Sequence, residues 1–129
     1  IALFAGIQEP NFSETLKMLI AGNGDPLTAL ICSNDTTALL VLKYLQAQQI
    51  RVPEDMVVAG YGNLLSDYMD TIGLTTVEQP FEEIGKIAGE LLIRRLTQAR
   101  DWKRDRPELI DLPVRLVPRD STKQAYSDS

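Results

Sequence analysis

The chain has no histidine and one cysteine among its 129 residues. Without histidine it lacks the commonest general base, the Ser-His triad and the usual zinc ligand. The lone cysteine, Cys32, lies in an apolar run and permits no internal disulfide. Lys and Arg never run more than two together and the net charge is −5, so the segment offers no basic face to grip a phosphate backbone. No apolar run approaches the ~20 residues a membrane span needs. The first residues are IALFAGI, with neither an initiator Met nor a signal peptide, as in an internal piece of a longer protein. What is present is ordinary for a globular chain: 44% apolar and 24% charged residues, and a length suited to one domain with a core.

The apolar residues fall into alternating short runs and longer periodic segments. IALFAG (Ile1 to Gly6), LTALIC (Leu27 to Cys32) and MVVAGYG (Met56 to Gly62) read as buried strands. Between the first two, PNFSETLKMLIAGNG predicts a helix. Asn11 or Ser13 is its cap, Leu16, Leu19 and Ile20 share a face, and Gly22-Asn23-Gly24 stops it. Ala38, Leu39, Val41, Leu42 and Leu45 make Asp35 to Gln48 a broadly apolar helix, ended before Pro53. Strand, helix, strand, helix, strand without polar alternation predicts a parallel sheet covered by helices on both faces.

After Asn63, LLSDYMDTIG reads as an irregular loop, unusually apolar for solvent, and LTTVEQP as extended chain. Pro80 suits the first turn of a helix to Thr97 whose face is Phe81, Ile84, Ile87, Ala88, Leu91 and Leu92. Glu82 and Glu83 at its start and Arg94 and Arg95 at its end match the helix dipole. Six apolar side chains do not remain in water at about 1.5–3 kcal/mol each, so this helix is expected to fold back on its sheet or pack on a second chain. RDWKRDRP is a charged linker. ELIDLPVRLVPRDST gives one or two edge strands around Pro113 and Pro118, and KQAYSDS a polar, frayed tail.

In parallel α/β sheets ligands sit outside the carboxyl ends of the strands, where Asn34-Asp35 and Gly62-Asn63 both fall. Asn and Asp are also the preferred helix caps, so the first pair has a structural reading as well as a ligand-binding one. Asp35 as a phosphoacceptor lacks its acidic companions and late lysine. Asp67 and Asp70 lack the spacing of a calcium loop. Gly85 and Gly89 form a GxxxG, which in a soluble helix signals close packing.

Four separated pieces, TALICSNDTTALLVLKYLQAQQIRVPEDMVVAGYGN, LTTVEQPFEEIGKIAGELLIRRL, LPVRLVPRDST and, more weakly, PNFSETLKMLI, together resemble the effector-binding core of LacI/GalR-family transcription regulators. The resemblance runs from about Phe12 to Thr122. It implies an α/β fold: a parallel sheet flanked by helices, the second lobe of a periplasmic-binding-protein-like (type I) fold, incomplete. Residues 1–79 would be mostly second lobe, 80–98 a helix belonging to the first lobe, 107–122 returning strands and 123–129 a polar tail.

The resemblance further implies a cytoplasmic, non-enzymatic homodimer without cofactor or metal, binding a small-molecule effector and touching DNA only through an upstream domain. The effector contacts it implies are Phe12, Asn34, Asp35, Asn63, Gln79 and Phe81, with Asn34 facing the cleft and Asp35 the more structural of the pair. The dimer contacts are Leu39, Leu42, Leu64, Leu65 and Met69. The family usually has Asp after the aromatic of GYGN. Here that position is Gly62, so a carboxylate that takes ligand hydroxyls is missing, and Gly62→Asp is expected to restore it if the backbone allows. A solute-binding protein for sugar transport is the alternative. An α/β enzyme is disfavoured by the missing histidine and phosphate loop.

Overall fold

In the computed structural model, which describes residues 2–4, 11–22, 26–97 and 108–126, five strands form one sheet. β1 is Ala2–Phe4, β2 Ala29–Cys32, β3 Val57–Gly62, β4 Thr75–Glu78 and β5 Arg115–Val117. They lie across the sheet in chain order. β1 to β4 are parallel, and β5 runs antiparallel along the free side of β4. Parallel neighbours need crossovers, supplied by α1 (Phe12–Ala21), α2 (Asp35–Ala47) and α3 (Ser66–Ile72), while α4 (Phe81–Thr97) follows β4.

Among the described residues, the helices packed on the sheet cover one face and not both. Right-handed crossovers between strands laid down in sequence all stack on the same side. Leu16 of α1, Val41 and Leu45 of α2 and Met69 of α3 accordingly join Leu30, Cys32 and Val58 in a single core. On the strands, Leu30, Cys32 and Val58 are buried, while Ile31 and Tyr61, pointing the other way, are 44% and 36% exposed. The apolar runs alternate in burial though not in polarity.

Two close approaches lock α2 onto this sheet. A Cβ on Gly60 would lie 2.3 Å from Asp35 Oδ1 and 3.3 Å from Asp35 Cα, so only glycine lets the start of α2 sit over β3. At the other end, the Ile50 amide donates to the Leu45 carbonyl with Gln49 at φ 59°, a left-handed turn that closes the helix.

The segment expected to be an irregular loop is a short helix. Ser66–Ile72 carries Asp67 in its first turn and stops at Gly73, whose φ of 66° makes it a left-handed cap. Met69 is 2% exposed within the core and is therefore not a dimer contact. The polar tail also begins later than expected, because a 3₁₀ turn spans Asp120–Tyr126. Its Ser121 hydroxyl donates to the Val58 carbonyl (2.6 Å) and accepts from the Thr75 amide (2.9 Å), pinning the returning chain to β3 and β4. Only residues 127–129 of that tail lie outside the described residues.

α4 does not fold back onto the sheet: it buries no residue. Ile84, Ile87 and Leu91 share an open groove of ≈ 500 Å³ with Leu109, Ile110 and Leu112. Arg94 pairs with Glu108 across it.

Candidate functional site

The carboxyl ends of β2, β3 and β4 lie along one edge of the sheet, and β5, running the other way, begins at that edge with Arg115. At the end of β2, Asn34 Oδ1 accepts from the Thr37 amide at 2.8 Å, the capping bond that the orphan amides of a helix start require. The rest of the Asn34 side chain is exposed, with Nδ2 donating to Ser33 Oγ at 3.5 Å.

Asp35 turns inward. Its Oδ2 accepts from the Asn63 amide at 2.7 Å and its Oδ1 from the Thr76 hydroxyl at 2.5 Å, tying the start of α2 to β3 and β4. With 9% of the residue exposed and both oxygens engaged, Asp35 lies beneath the site and holds it, rather than lining it. Burial, and then the Asp35 charge, push the neighbouring Cys32 thiol up to about 12, so it is an unreactive core side chain at neutral pH.

Asn63 has φ 55°, a left-handed conformation that Asn tolerates better than most residues. That bend places its amide group between two partners: Nδ2 donates to Glu78 Oε1 at 2.9 Å, and Oδ1 accepts from Arg119 Nη2 at 3.1 Å. Arg119 also donates to Asp70 of α3 at 2.5 Å and to the Leu74 carbonyl at 2.7 Å. Glu78 Oε2 in turn takes Nε and Nη2 of Arg115, at 2.9 and 2.6 Å. Hydrogen bonds from Arg115 first, and from Asn63 next, hold the Glu78 carboxyl below its ordinary range, so it is an anion at neutral pH.

This network floors an open cleft of ≈ 620 Å³ where β4 passes into α4, with Asn63, Glu78, Gln79, Phe81, Lys86 and Arg115 among its walls. Three residues expected from the sequence, Asn63, Gln79 and Phe81, therefore meet. Phe12, Asn34 and Asp35 are not in its lining; Phe12 packs half-buried against the core. The sequence patterns do not single out Glu78, Lys86, Arg115 or Arg119. Their only sequence signal is proximity to the LTTVEQP and LPVRLVPRDST motifs, since the pairings join residues far apart in the chain. Gly62, beside this cleft, has φ 127°, a conformation that L side chains rarely adopt. Gly62→Asp would be strained and is no route to a restored carboxylate.

Of the residues assigned to a dimer, Leu39 and Leu42 are half-buried against their own core. Leu64 and Leu65 are 72% and 62% exposed, and Leu40 and Tyr68 are exposed apolar residues as well. Among the described residues no group of His, Cys, Asp or Glu is arranged to hold a metal ion, and no helix is long and apolar enough to cross a membrane.

Residues 4–122 match the family model of the periplasmic binding protein-like domain. The chain is 41% identical over 97 residues to the HTH-type transcriptional repressor PurR of Vibrio cholerae, an overlap of 74% of this chain and 27% of that protein. It is 35% identical over 116 residues to the arabinose metabolism transcriptional repressor of Halalkalibacterium halodurans, covering 89% of this chain and 31% of the relative. The chain thus spans under a third of the length of these repressors.

Among solved structures, a putative LacI-family transcriptional regulator from Sanguibacter keddieii superimposes with a TM-score of 0.71 at 30% identity, over 86% of this chain and 41% of the other. A LacI-family regulator from Enterococcus faecalis, solved with bound ribose, gives 0.68 at 28% identity, over 85% and 39%. The chain belongs to the periplasmic binding protein-like domain family and corresponds to the effector-binding region of LacI-family transcription regulators.

Proposed function

We propose that this chain is the ligand-reading part of a bacterial transcription regulator, with the cleft between β4 and α4 as part of its effector site. The observation that carries the reading is the convergence of Asn63, Gln79 and Phe81 on one cleft at the carboxyl edge, the edge where such sheets bind ligands. Phe81, 42% exposed, offers a flat apolar face for a sugar ring or a base, and Gln79 an amide. Residues up to Gln79 belong to the second lobe and α4 to the first. An apolar helix with no buried residue is what a lobe-crossing element looks like without the rest of its lobe. Ligand bridging the lobes would change their relative orientation, and with it the spacing of DNA-binding domains outside this chain. The repressor relatives favour this over a transport carrier. On this reading the protein works in the cytoplasm.

Calorimetry of the full-length protein with D-ribose, L-arabinose, D-glucose and adenine tests the site. At least one should bind, and Gln79→Ala and Phe81→Ala should each weaken it by about tenfold. Heat with none of them, or binding unmoved by both substitutions, overturns the assignment. The exposed Leu64, Leu65, Tyr68 and Leu40 would form the homodimer face, Met69 being excluded by its burial. Leu64→Ser with Leu65→Ser should shift the full-length protein to monomer in sedimentation at tens of micromolar, an assumed range for a modest interface. An unchanged dimer would remove these two leucines from it.

A further inference from the structure

We propose that Glu78 is the group that takes ligand hydroxyls in this cleft, an inference that rests on the effector-binding reading above. Gly62 and Glu78 are direct partners in the parallel pairing of β3 and β4, so their side-chain positions sit side by side on the same face. Position 62 is bare, and its φ of 127° keeps it so; a Cβ there would point at Asp35, 3.7 Å from Oδ2. The carboxylate at this strand end is supplied from the neighbouring strand.

The hydrogen bonds separate Glu78 from Asn63. Asn63 is 7% exposed, and its amide is engaged at both ends, by Glu78 and by Arg119. It positions Glu78 and has little left to offer a ligand. Glu78 accepts one bond on Oε1 and two on Oε2, leaving roughly one of the four acceptor positions of a carboxylate. A third of its side chain (33%) remains exposed, and it lines the cleft beside Gln79 and Phe81. An ionised acceptor beside an amide and a flat apolar ring suits a neutral ring bearing several hydroxyls, a pentose or hexose, because hydrogen bonds to charged acceptors are the stronger kind.

The test is calorimetry of the full-length protein with D-ribose, L-arabinose and D-glucose, then with the monodeoxy analogues of whichever sugar binds. For the wild type, loss of one particular hydroxyl should weaken binding by about tenfold or more; in Glu78→Met the same loss should cost little. A Glu78 that merely braced Arg115 and Asn63 would lower sugar and analogue alike, and an unchanged ratio between them overturns the proposal. Arg115→Met breaks the ion pair but keeps the carboxylate, so it should retain the wild-type ratio. Loss of discrimination in that variant also overturns the proposal, and the comparison stands even if Glu78→Met fails to fold. Sugar binding with an unchanged ratio, or binding of adenine and none of the sugars, sinks only this inference, whereas no binding by the wild type to any sugar or to adenine sinks the effector-site reading with it.

Discussion

α2 and α4 both follow a strand end, both carry a continuous apolar face, and they meet different fates. α2 buries Asp35, Thr37, Ala38, Val41 and Leu45 against β2 and β3, whereas α4, with a stronger segregation of apolar from charged residues, buries nothing. Local signals start both helices: the Asn34 cap for α2, and for α4 Glu82 and Glu83 in the first turn with Arg94 and Arg95 in the last. Burial is settled by what stands opposite. For α2 that is a sheet whose strands lie just before and after it in the chain. For α4 it is an open groove shared with Leu109, Ile110 and Leu112.

The sharpest way to break this contrast is to truncate one leucine on each helix. Leu45 is fully buried, and Leu45→Ala should cost about 2–5 kcal/mol of lost burial and residual cavity. Leu92 is 59% exposed, and Leu92→Ala in the 129-residue chain should change stability by less than about 0.5 kcal/mol. Urea unfolding measures both. If α4 belongs to a lobe completed elsewhere, Leu92→Ala becomes costly in the full-length protein. Comparable costs for the two leucines in the short chain would mean that α4 has found a partner within it.

The same contrast explains how far the sequence could be read. The βαβ alternation was legible because each of its signals is local: apolar runs, Asn34 before a periodic segment, Pro53 after one. The placement of helices on a single face was not, since Ile31 and Leu30 are equally apolar and only the strand order decides which is covered. α3 is hard to read because seven residues are too few for a clear period, and because the exposed Leu64, Leu65 and Tyr68 mask the two inward residues, the buried Met69 and the half-buried Ile72. At the site, motif residues such as Gln79 and Phe81 could be picked out singly. The chain from Asp35 through Asn63 to Glu78, Arg115 and Arg119 could not, because β3, β4 and β5 must first be brought side by side.

Asn34 and Asp35 allow a second, smaller comparison at the start of α2. Asp35→Ala leaves the Asn63 amide and the Thr76 hydroxyl facing a buried space without their acceptor, at about 1–3 kcal/mol for each donor left unpaired. Asn34→Ala removes one part-buried capping bond from the Thr37 amide and should cost about 1 kcal/mol. Urea midpoints of the two variants should therefore separate clearly, with Asp35→Ala the lower. Equal midpoints would mean that water reaches the Asn63 amide and that Asp35 is a cap like its neighbour.

The smallest expected effect is a pH dependence that compares Glu78, at the border between sheet and α4, with Asp55, on the turn before β3. Arg115 and Asn63 hold Glu78 below its ordinary 4.5, while Arg51 holds Asp55 at about 2 against an ordinary 3.8. In both cases the unfolded chain takes up a proton at the ordinary value and the native one resists it. The stabilisation is therefore complete above the ordinary value and is lost as pH falls through the native value. For Glu78 the loss begins below 4.5; for Asp55 it begins below 3.8 and is complete below about 2. Both pairs are largely solvated, so the differences are small and should fade with added salt. Urea midpoints of wild type, Glu78→Gln and Asp55→Asn, followed from neutral pH into the acid range, should draw together as pH falls, from below 4.5 for Glu78→Gln and from below 3.8 for Asp55→Asn. A Glu78→Gln difference independent of pH across its window would mean that the carboxylate charge does not hold Arg115 and Asn63 in place. The cleft floor would then be organised by Arg119 and Asp35 alone.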